Sequence, residues 1–85
     1  MRLPVIKSIN AFIAANDEDY VNEAIEFLEH LIDEAPLKDE ELDVMGELLS
    51  NIFGALEVQK AIKQGKSEKD ALNDFMQRVL GSIDK

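Results

Sequence analysis

The chain has no cysteine, which removes any disulfide framework, thiolate metal site or cysteine nucleophile and fits a reducing compartment. Imidazole is nearly absent too, His30 being the only one. Long apolar runs are missing: the longest uncharged stretches, Ser8 to Asn16 and Leu48 to Leu56, are nine residues each, against the ~18 needed to cross a bilayer. The opening Met1-Arg2-Leu3-Pro4 has the pattern of neither a signal peptide nor an anchor. Basic residues are scarce, nine against 18 acidic ones. From Asp17 to Glu57 fourteen carboxylates face the single Lys38, a formal charge of −13, with +2 before that stretch and +2 after it. Nucleic acids and anionic membranes are held by rows of Lys and Arg that displace counterions, so neither is expected as the main partner. No Gly-rich phosphate loop, Ser-His-Asp arrangement or nucleophile elbow occurs. Enzymatic activity is the poorer reading, no cofactor is expected, and the cytoplasm is the expected location.

What is present is an 85-residue chain, 46% apolar and 32% charged, the composition of one folded domain over residues 1–85. A domain this short buries proportionally little surface and needs well-packed helices or a second copy of itself. The pattern is all-α, a compact four-helix arrangement with a long central third helix. The first segment starts near Pro4, carries Val5, Ile6, Ile9, Phe12 and Ile13 at helical spacing, and stops around Asn16. The second follows Asn16-Asp17-Glu18, with an acidic cap and acidic first turn, and its stripe of Val21, Ala24, Ile25, Leu28, Leu31 and Ile32 is widened by Tyr20 and Phe27. Pro36 breaks it by pushing Ala35 out of helical geometry, and Asp39 is placed to cap the next. The third runs from about Glu40 to Gln64, and its apolar residues cover about half of the helical wheel, wider than one neighbour requires. It is expected to touch several helices or a second subunit. Gly65 is placed to end it, Ser67 with Asp70 approximates a capping box, and the last segment carries Leu72, Phe75, Met76, Val79, Leu80 and Ile83 up to Gly81 and the terminus.

Inside the third segment Gly46, Ser50 and Gly54 recur every four residues, although an interior glycine costs ~1 kcal/mol relative to alanine. Small residues at this spacing let another backbone approach, so Gly46, Ser50 and Gly54 with Leu49, Ile52, Phe53 and Leu56 form the candidate packing surface, inside one subunit or as a dimer seam. A ligand groove, or a kink at Gly54, is the remaining alternative. His30 sits among Glu23, Glu26 and Glu34, but the Glu-x-x-His spacing of carboxylate-bridged metal bundles would need Glu where Phe27 stands, so no metal site is expected. The acid clusters Asp17-Glu18-Asp19 and Asp39-Glu40-Glu41 lack the alternating ligands and central Gly of a calcium loop, and helix-start chemistry explains them. Lys60, Lys63, Lys66 and Lys69 form the only basic cluster, a counterweight to the chain's own acidic helix.

The opening Leu3-Pro4-Val5-Ile6-Lys7, the stretch from Leu37 to Leu48, and Gly54-Ala55-Leu56-Glu57-Val58 resemble a family of short acidic helical bacterial proteins with no assigned function. The resemblance implies a stand-alone domain and supplies no activity or site residues. From the residues themselves the first expectation is a protein–protein interaction module, homodimeric through the third helix, that presents its acidic second helix to a basic or mixed-charge partner. The second is an acidic inhibitor whose carboxylates mimic phosphates in the groove of a basic protein. The third is a helical ligand carrier or enzyme with a pocket beside Gly46 and Gly54.

Overall fold

The computed structural model describes the backbone of residues 2–83 and the side chains of residues 2–79. Four helices form, α1 (Leu3–Ala15), α2 (Glu18–Glu34), α3 (Asp39–Lys63) and α4 (Glu68–Ile83), with no strand among the described residues. Leu80, Gly81 and Ile83, expected at the end of the last segment, lie in α4, but the Leu80 and Ile83 side chains fall outside the described residues.

Each break has a local cause. The Asp17 carboxylate accepts a hydrogen bond from the Asp19 amide at 3.0 Å and caps α2. Ala35, forced extended by Pro36 at φ −81° and ψ 147°, ends that helix. Asp39, expected as the cap of α3, is instead its first residue. Lys38 holds the cap position in extended geometry, and its amide donates to Glu41 Oε1 at 3.0 Å. The carboxylate three residues inside the helix thereby satisfies the cap residue's own amide, the reciprocal half of a capping box. Gly65 adopts φ +110°, its amide donating to the Ile62 carbonyl at 3.0 Å while the Lys66 amide reaches back to that of Ala61 at 3.2 Å. This paired closure of α3 needs a residue free to enter positive φ. Ser67 Oγ accepts from the Asp70 amide at 3.2 Å at the start of α4.

α1, α2 and α4 all pack on α3. Ile6, Ala55, Val58, Ala71, Leu72 and Phe75 bury one cluster where α1, α3 and α4 meet. Ile13, Val21, Ile25, Leu49 and Ile52 bury a second between α1, α2 and α3, and Ile9 touches both. Each large side chain among these contributes about 1.5–3 kcal/mol on burial. α1 is further tied to α3 by Asn51, buried, whose Oδ1 accepts the Arg2 amide at 2.8 Å while its Nδ2 donates to the Glu47 carbonyl at 2.9 Å. The molecule is flattened, 42 × 35 × 17 Å, with a radius of gyration of 13.9 Å.

Candidate interaction surface

α3 positions all seven candidate residues, and because its side chains advance by about 100° each they point in different directions. Leu49, Ile52 and Gly54 are buried, and Leu56 is half-buried. Gly54 is the close approach: a Cβ there would lie 2.8 Å from Phe75 Cζ and 3.4 Å from Ile6 Cδ1, so α1 and α4 both press on this turn of α3. Gly46, at the same helical spacing, has no such neighbour within 4 Å and is exposed, as is Ser50. Phe53 is 47% exposed.

Phe53 stands in an open cleft of about 790 Å³ floored by α3 and bounded by the start of α2 and by α4. Leu56, Phe75 and Val79 give it an apolar lining beside Gly54, and charge surrounds them. Lys63 pairs with Glu18 across α3 and α2, and Arg78 pairs with Glu57 across α4 and α3. The Arg78 guanidinium also lies 5.6 Å from the centre of the Phe75 ring, a cation–π distance. The hydrogen bond that Lys63 donates to the Glu18 carboxylate, and then the charge of that carboxylate, hold the Lys63 ammonium above its ordinary pKa. Lys66 pairs with Asp74 inside the same basic cluster. Two of its four lysines therefore meet the chain's own carboxylates.

Elsewhere the surface carries apolar side chains that helical periodicity alone would bury. Tyr20 and Phe27, expected to widen the buried stripe of α2, are instead 60% and 62% exposed, and Phe12 meets Tyr20 edge to face at 6.4 Å between ring centres. Val44 and Leu48, on the first half of α3, are also exposed. His30 is exposed on α2, and no group of three metal-ligating side chains comes together among the described residues. No described helix is long and apolar enough to cross a membrane.

Residues 1–84 match the model of a family of unknown function, DUF6952. No curated protein and no solved structure matches the chain.

Proposed function

We propose that this chain, which belongs to that family of unknown function, is a protein–protein interaction module that acts as a homodimer. The observation carrying the reading is that α3 packs against all three other helices and still exposes Val44, Leu48 and Phe53. Single exposed apolar side chains are ordinary, but three on the one helix at the centre of the fold leave it with more apolar circumference than its own chain covers. The acidic outer face of α2, with Glu23, Glu26, Glu29 and Glu34 exposed, is the surface offered to a basic or mixed-charge protein in the cytoplasm.

Mass under native conditions tests the homodimer. Sedimentation from about 10 µM to about 1 mM should reveal a species of twice the 9.5 kDa chain mass, and a single 9.5 kDa species throughout would overturn it. The exposed carboxylates of α2 also favour a second reading, an inhibitor that occupies the nucleic-acid groove of a basic protein. Affinity capture at low salt would recover that protein, and failure of DNA or RNA to compete for it would end this reading.

A further inference from the structure

We infer that the surface of α3 between α2 and α4 is a two-fold contact with a second copy of the chain, in which two α3 helices cross antiparallel and Phe53 of each sits over Gly46 and Ser50 of the other. The inference rests on the homodimer reading above and specifies its face, register and polarity; of the three apolar side chains that α3 exposes this face covers Phe53, while Val44 and Leu48 lie on the other side of the helix.

Asp43, Gly46, Ser50, Phe53, Glu57 and Lys60 fall within about 100° of arc on α3. All six are exposed, and the strip they form lies opposite Asn51, Ala55 and Val58, the residues that α1 covers. Gly46 is the unexplained member. A glycine inside a helix weakens it relative to alanine, and the two usual reasons for keeping one are absent here. Gly65 is the glycine with positive φ among the described residues, and beyond the adjacent residues and the backbone of its own turns nothing described lies within 4 Å of a Cβ built on Gly46. Among the described residues nothing uses the space that Gly46 leaves. Phe53, two turns further on, is a large apolar side chain with nearly half its surface in water.

An isologous contact pairs residue i with j and j with i. Centring an antiparallel pair between Asn51 and Ile52 sets Phe53 against Ser50 of the other copy, with Gly46 beside it, and sets Asp43 against Lys60 twice over. Glu57 then faces Gly46, but it arrives already paired with Arg78 and brings no uncompensated charge. The parallel arrangement would oppose Asp43 to Asp43 and Lys60 to Lys60, and shifting the antiparallel centre to Ser50 would oppose Asp43 to Glu57. Charge therefore selects the polarity and the register. The strip from Asp43 to Lys60 is about 25 Å long at ~1.5 Å per residue and one helix wide, so the contact belongs to the small, transient class. The net charge of −9 on each copy opposes association, which calls for measurement at about 0.15 M salt or above.

Sedimentation equilibrium of the full chain tests this with Gly46→Leu, Asp43→Lys, Lys60→Asp and the double charge exchange Asp43→Lys/Lys60→Asp. All three positions are exposed, so far-UV circular dichroism should be unchanged in every variant. Gly46→Leu should weaken the dimer at least about tenfold, each single charge change by about threefold or more, and the double exchange should return the dissociation constant to within about twofold of the wild type. A wild-type dimer indifferent to Gly46→Leu, or two charge changes that add without rescue, overturns this face and register while leaving the homodimer standing. A wild-type monomer up to about 1 mM overturns both and leaves the α3 strip to a different protein.

Discussion

Gly46 and Gly54 lie two turns apart and about 80° round α3, and opposite consequences follow when each receives a methyl group. At Gly54 the new Cβ would lie 2.8 Å from Phe75 Cζ and 3.2 Å from its Cε2, so the buried ring would have to give way toward the cleft it lines. Overpacking of this kind costs about 1–3 kcal/mol against the ~1 kcal/mol that alanine returns in helix propensity, so Gly54→Ala should be net destabilising, by up to about 2 kcal/mol. Gly46→Ala meets open space and should stabilise the monomer by about 0.5–1 kcal/mol. Urea denaturation at low protein concentration compares the two, and shifts of the same sign would mean that the Phe75 ring yields more freely than its burial implies. Asn51 makes a related point about polar groups. Its amide is buried because it serves both the start of α1 and the ladder of α3, and a truncated side chain would leave the Arg2 amide without that acceptor.

Elements start and stop where single residues dictate, which is why most of the helical layout is legible in the sequence. Pro36 removes Ala35 from helical geometry, Asp17 caps α2, and Gly65 enters positive φ, each acting within a few residues along the chain. How the elements dock is a different matter. The Arg2–Asn51 bond joins residues 49 apart, and the exposure of Tyr20 and Phe27 depends on where α1 lies against α2. Helical periodicity marks a stripe but does not say how wide a neighbour covers it. The candidate strip on α3 shows the same limit, since the repeat of Gly46, Ser50 and Gly54 is visible in the sequence while the burial of only one of them is not. The link from α2 to α3 through Glu18 and Lys63 carries a pH dependence whose sign follows from its cause. Pairing raises the Lys63 pKa in the folded chain, so the stability it contributes is present below the ordinary lysine value of 10.5 and is lost as pH rises through the raised folded value. Lys63→Gln should therefore melt slightly below the wild type at about pH 8, with the difference shrinking as pH rises through that raised value. A difference that grows with pH would contradict the pairing. Because Lys63 is exposed, the effect should also shrink as salt is added.

At the scale of the whole molecule the charges are unevenly matched. The three ion pairs among the described residues, Lys63–Glu18, Lys66–Asp74 and Arg78–Glu57, all draw their cations from residues 63–78. The other end holds the second half of α2, with Glu26, Glu29, Asp33 and Glu34, beside the first turns of α3, with Asp39, Glu40, Glu41, Asp43 and Glu47, and Lys38 alone among them. Exposed pairs contribute about 0–1 kcal/mol each, and screening weakens them. The same screening relieves repulsion among nine carboxylates that are all exposed, on a molecule only 17 Å thick in which no charge lies far from solvent. Repulsions outnumber attractions, so relief should win: the melting temperature should rise as sodium chloride is increased from about 0.05 M to about 0.5 M, with protein kept dilute so that self-association does not contribute. Neutralising part of the acidic end, as in Glu29→Gln with Glu41→Gln, should raise the low-salt melting temperature and flatten its salt dependence. A melting temperature that falls with salt would show that the three pairs outweigh the repulsion, and the acidic end would then be no burden that a basic partner could relieve.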